Sequence, residues 1–146
     1  DDGALARASS AAQIGFQRAR NTFLPFGKNV RRYGDGTVFA PGIRSIAAHG
    51  HTPGHTVFHV SSGADQLMVL SDTTNHPALF ARRPEWRAIF DMDGAMAAET
   101  RRRLFDRASA DRIRVAGYHF PFPATGHVKK RADGYEFVPS AWSPTV

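Results

Sequence analysis

Cysteine is absent from all 146 residues. That excludes disulfides and thiolate metal sites, so any metal must be held by histidine and carboxylate, which leans away from a structural zinc finger and towards a catalytic centre. No apolar run approaches the roughly 20 residues that a membrane helix needs, and the expectation is a protein with no membrane partner. Internal repeats, low-complexity segments and a Gly-x-Ser-x-Gly nucleophile elbow are also lacking. The chain starts Asp1-Asp2-Gly3, with no Met and no signal-like segment, as a processed or truncated product would. The lack of cysteine does not decide the compartment: cytoplasmic and periplasmic or secreted origins both fit.

What is present bounds the class. The length allows one domain with a real core, and 42% apolar residues with scattered charge describe a globular chain. The formal net charge is +6, with basic clusters at Arg31-Arg32, Arg82-Arg83, Arg101-Arg102-Arg103 and Lys129-Lys130-Arg131. These are spread along the chain with no interleaved aromatics, so a solvated surface is favoured over a nucleic-acid interface.

Leu5, Ala8, Ala12, Phe16, Ala19 and Phe23 recur at spacings of three and four, which predicts an amphipathic helix from Ala4 to about Phe23, ended by Pro25 and Gly27. Short strands follow at Thr37–Ala40 and Ile43–Ala48, with turns at Gly34-Asp35-Gly36 and Pro41-Gly42. The strand-rich runs His55–Val60 and Gln66–Ser71 flank a turn composition; as a hairpin they place Val60 opposite Leu67 and His55 opposite Asp72. The second run is apolar on both faces, as a strand covered on both sides would be. Thr73–Arg83 reads as loop, and Pro84 favours a short helix to Phe90. Asp93 reads as the N-cap of a helix from Gly94 to about Ala108, with Ala97, Leu104 and Ala108 buried. Arg112–Ala116 alternates as a half-buried strand. His127–Arg131 and Tyr135–Val138, joined through Asp133-Gly134, make a closing hairpin.

The chain is organised around His49-Gly-His-Thr-Pro-Gly-His-Thr56. Three histidines round a Pro-Gly turn are hard to explain as packing, and neutral imidazole suits zinc. Thr52-Pro53-Gly54-His55 reads as a type II turn, with positive φ expected at Gly54. It would hold His51 and His55 on either side of one bend. Asp72 and His119 each sit just past the end of a predicted strand, where functional side chains commonly sit. His51, Asp72 and His119 can therefore converge on one edge as a first-row metal set, zinc leading. The plainer reading of each is a turn-capping Asp and ordinary core or surface histidines.

Taken together, Gly50-His-Thr-Pro-Gly-His-Thr56, Leu67-Met-Val-Leu-Ser-Asp72 and His119-Phe-Pro-Phe-Pro123 resemble the second half of a metallo-β-lactamase-fold hydrolase. The closest likeness is to the methyl parathion hydrolase and quorum-quenching lactonase branch, and it runs from about Thr37 to Val138. The resemblance implies an α/β (α+β) fold, half of a four-layer αββα sandwich, with a mixed β-sheet and helices packed on one face. It implies that residues 1–146 are the C-terminal part of one such domain. It makes His51 a metal ligand, Asp72 the catalytic carboxylate bridging two metals, and His119 the last ligand, with His55 orienting a ligand from behind. Phe120 and Phe122 would line a substrate pocket or pack under their loop. His49, His59, His76 and His127 take ordinary loop, core or surface roles.

The family's principal motif, His-x-His-x-Asp-His, is missing from this chain. The expectation is three ligands of a dinuclear site, two Zn2+ or other divalent first-row ions in the complete centre. The missing half of the fold would be a partner, a small molecule the substrate, and a homodimer is left open. The implied activity is hydrolysis of small esters, lactones or phosphotriesters by metal-activated water. The alternatives are a nuclease of the same fold, prompted by the net charge, and a non-catalytic binding module.

Overall fold

The computed structural model describes Gly3, Ala6 and residues 9–144, without the side chains of Ala11 and Ala12. The chain divides into two compact units, 1–33 and 34–146. In the first, helix α1 (Ser10–Phe23) runs into a 3₁₀ segment at Leu24–Asn29. Leu5 and Ala8 of the expected helix lie outside the described residues. Pro25 opens the 3₁₀ segment and Gly27 leaves helical geometry with φ 47°, so both breakers act as expected. Of the apolar stripe, Phe16 is half-buried while Ala19 and Phe23 are exposed.

The second unit holds strands β1 (Val38–Ala40), β2 (Ile43–Ala47), β3 (Thr56–Ser62), β4 (Asp65–Ser71), β5 (Arg114–Gly117), β6 (Thr125–Arg131) and β7 (Gly134–Pro139). They form one seven-stranded sheet in sequential order. Only β4 and β5 pair in parallel, and every other neighbouring pair is antiparallel. A parallel pair needs a long crossover, and here the crossover contains the short helix α2 (Pro77–Phe80) and the long helix α3 (Gly94–Ala110).

The register of the central hairpin is the expected one, with Val60 opposite Leu67 and Ser61 opposite Gln66. That register turns Val57, Met68 and Leu70 into one core with Leu104, Phe105 and Ala108 of α3 and Val115 of β5. On the other face Phe58, Val60, Leu67 and Val69 are only half-buried. The sheet is thus fully covered on one side, not on both as the apolar pattern of β4 predicts.

Asp93 caps α3 as expected, its Oδ1 accepting from the Met96 N–H at 2.9 Å. Two local expectations fail. The stretch Pro84–Phe90 is a series of turns, not a helix, because the Pro84 and Trp86 carbonyls accept from Arg101 Nη1 at 2.8 and 2.7 Å instead of from the chain ahead. The loop at 73–83 carries α2, which Pro77 starts and His76 caps by accepting from the Ala78 N–H.

Candidate metal centre

The histidine turn is anchored before its side chains are considered. His55 N–H donates to the Thr52 carbonyl at 3.2 Å, closing the bend. The bend is not type II: Gly54 lacks positive φ, and within the motif that conformation falls at Gly50, φ 128°. Gly50 is needed there for space as well. A Cβ would lie 2.2 Å from the Ala97 backbone nitrogen, so only glycine lets the turn seat on the first turns of α3. Thr100 Oγ1 donates to the His49 carbonyl, and the Asp93 and Met92 N–H groups donate to the Gly50 and His51 carbonyls.

From this seat His51 directs Nδ1 at Asp91 Oδ1, 3.1 Å away. The Asp91 side chain is 1% exposed. Its other oxygen accepts from the Ala88 N–H at 3.0 Å and lies 4.0 Å from Arg101 Nη2. Arg101 is itself buried at 1% exposure. It donates through Nε to the Thr73 carbonyl, and its guanidinium stacks 4.9 Å from the Phe80 ring centre. Burial pushes the Arg101 pKa below the usual guanidinium value while Asp91 pulls it back.

His55 stands edge-on to His51, ring centres 5.5 Å apart. Its Nδ1 bonds the Ala48 carbonyl at 3.0 Å, and its Nε2 accepts from the Asp72 N–H at 3.2 Å. Nδ1–H donates to the carbonyl, so Nε2 is the unprotonated nitrogen, consistent with a neutral ring. Burial is the main cause that lowers its pKa, against the Ala48 bond that raises it.

Asp72 follows Ser71, whose φ of 51° is unusual for a residue with a side chain and coincides with a register shift between β4 and β5. The irregularity ends the strand and turns Asp72 off the sheet. Asp72 Oδ1 meets His119 Nε2 at 2.8 Å. His119 sits in the loop after β5, folded over by Phe120. A Cβ on Gly117 would lie 2.4 Å from the Phe120 ring, so this glycine admits the ring that holds the loop down. Phe120 is buried and stacks edge-on to Phe137 at 4.6 Å, which makes it a packing residue. Phe122 is exposed and lines a cleft of about 650 Å³ with His76, Arg82, Tyr135 and Phe137.

The structure thus gathers His51 and Asp72 round His55, and bonds His119 to Asp72. His49, His59, His76 and His127 stay apart from these contacts; His59 bonds Gln66 and His76 caps α2. The donor chemistry suits a first-row cation: imidazoles and a carboxylate, with His51 Nε2 making no hydrogen bond among the described residues. The count is short of a closed shell. No group of three or more His, Asp or Glu that could hold a metal ion occurs among the described residues.

Asp91 and Arg101 are the residues that sequence reasoning missed. Arg101 could have been found: it falls at helical spacing between Ala97 and Leu104, a lone charge inside the apolar stripe of α3. Asp91 gave no periodic signal.

No protein-family model matches the chain, and no curated protein does. Solved structures do. A hydrolase of the beta lactamase superfamily, AbOPH, superposes with a TM-score of 0.85 at 22% identity, over 98% of this chain and 51% of its own. AidC, a dizinc quorum-quenching lactonase solved with a product, superposes at 0.76 and 25% identity, over 97% of this chain and 52% of its own. A probable metal-dependent hydrolase from Staphylococcus aureus gives 0.62 at 18% identity, over 80% and 43%. The chain has the fold of the metallo-β-lactamase-superfamily hydrolases and spans about half the length of the solved structures it matches.

Proposed function

We propose that this chain is the metal-binding C-terminal part of a hydrolase that opens small esters, lactones or phosphotriesters with a metal-activated water. The observation that carries the reading is the contact of His119 Nε2 with Asp72 Oδ1 at 2.8 Å, one loop beyond two parallel neighbouring strands. The superposition on AidC supports a dizinc centre and a lactone substrate. The chemistry that a dinuclear centre supplies when bound is an activated water and a polarised carbonyl or phosphoryl oxygen.

The chain's own residues divide the remaining work. His51 and His119 bind through imidazole nitrogen. Asp72 would hold metal through its carboxylate and would accept the proton that the attacking water gives up. His55 holds the Asp72 backbone in place through Nε2, so the carboxylate does not have to be ordered when substrate arrives. The remaining donors come from a second half of the sandwich, which would also cover Phe58, Val60, Leu67 and Val69.

The test is hydrolysis of an N-acyl homoserine lactone, an aryl ester and an aryl phosphotriester by the protein with its fold complete. Activity is expected to vanish on chelation and to return with Zn2+. Chelator-resistant turnover, or cleavage of RNA in place of all three substrates, contradicts the reading.

A further inference from the structure

We propose that Asp91 is a positioning residue: it fixes His51 as the Nδ1–H tautomer and so keeps Nε2 presented as a bare lone-pair donor. The proposal of a metal function for His51 rests on the reading above; the tautomer assignment does not. A carboxylate can only accept a hydrogen bond, so the 3.1 Å contact of His51 Nδ1 with Asp91 Oδ1 requires the proton on Nδ1. The neutral ring then carries its lone pair on Nε2, where no protein group meets it among the described residues.

Asp91 cannot turn away from this duty. Its side chain is 1% exposed, and Oδ2 is occupied by the Ala88 N–H at 3.0 Å and faces Arg101 Nη2 at 4.0 Å. Both of those groups are donors. They hold one oxygen on the inner side and leave only Oδ1 for His51. The groups packed round His51 are consistent with this: the His55 ring is edge-on to it at 5.5 Å, and the backbone carbonyl of His51 is taken by the Met92 N–H. The arrangement is a carboxylate–histidine pair of the kind that orients metal ligands, with an arginine behind the carboxylate.

The same polarity predicts an unusual result for the mildest substitution. In Asp91→Asn the amide oxygen must face Ala88 N–H and Arg101, because the amide NH2 would oppose two donors there. The NH2 group then points at His51 Nδ1 and donates to it. The fold is kept and the tautomer is inverted, putting the proton on Nε2.

The experiment is ¹H–¹⁵N correlation of the histidine side chains in the metal-free whole chain, wild type and Asp91→Asn, followed by Zn2+ titration of both. His51 is expected as Nδ1–H in the wild type and Nε2–H in the variant, with Zn2+ affinity lowered about 10–100-fold. Asp91→Ala is the second variant; loss of the fixed tautomer into a mixture supports the assignment. An Nδ1–H ring in both wild type and Asp91→Asn, or an Nε2–H ring in the wild type, overturns it. Inversion of the tautomer with no zinc uptake by either form upholds the role of Asp91 and counts instead against the metal reading.

Discussion

The two arms of the candidate centre are built to different standards. On one arm His51, with a side chain 22% exposed, rests on a turn tied to α3 and the two residues before it by three hydrogen bonds and is backed by a carboxylate 1% exposed. On the other, Asp72 and His119 are 32% and 52% exposed and hold mainly each other. That is a difference in pre-organisation: the first arm's imidazole is held by a buried partner, and the second arm's two side chains meet each other in the open. Arg101 serves both. It braces Asp91 on the first arm and the Thr73 carbonyl, next to Asp72, on the second.

Removing that brace is the largest expected effect. Arg101→Ala leaves Asp91 buried without its cation and the Thr73, Pro84 and Trp86 carbonyls without their donor, and should cost about 3–5 kcal/mol, read as a lowered denaturant midpoint. It should loosen both arms together. A variant as stable as the wild type would remove Arg101 from the account.

Gly117→Ala should separate the arms. The new methyl collides with the Phe120 ring at 2.4 Å, at a cost of about 1–3 kcal/mol for overpacking. His119 is expected to lose its contact with Asp72 while the His51–Asp91 bond persists, as side-chain NMR of the histidines would report. Equal disturbance of His51 would mean that the arms are not independent.

The smallest effect concerns His55, between the arms. Its folded-state pKa lies below the ordinary 6.5, chiefly through burial. The unfolded chain therefore binds the proton more readily. The contribution of His55 to stability is present above pH 6.5 and is lost as the pH falls from there through the lower folded-state value. His55→Gln should flatten that part of a plot of melting temperature against pH. An unchanged slope would show that the ring is not buried neutral in solution.

The better-built arm was also the less legible one. Two strand-rich runs and the turn composition between them were enough to set Val60 against Leu67, and from that pairing followed the meeting of His55 with Asp72. Such pairings are local, and one face of the hairpin buries, so register is strongly constrained. The bracing of His51 is long-range instead. Asp91 comes from a turn-rich stretch 40 residues on, and its shape depends on Arg101 capturing the Pro84 and Trp86 carbonyls. Proline at position 84 favours a helix start by local rules, but a buried guanidinium with several donors to satisfy outweighs that preference. The type II turn failed for a similar reason: the backbone strain went to Gly50, where the turn meets α3, and not to the Pro-Gly pair at its tip.

On the proposed function, Asp72 joins the two arms into one cation site. Its most direct test is the zinc content of the purified complete protein after dialysis, wild type against Asp72→Ala. Bound zinc is expected in the wild type, and its loss, wholly or by half, in the variant. Equal zinc in the two proteins would contradict it.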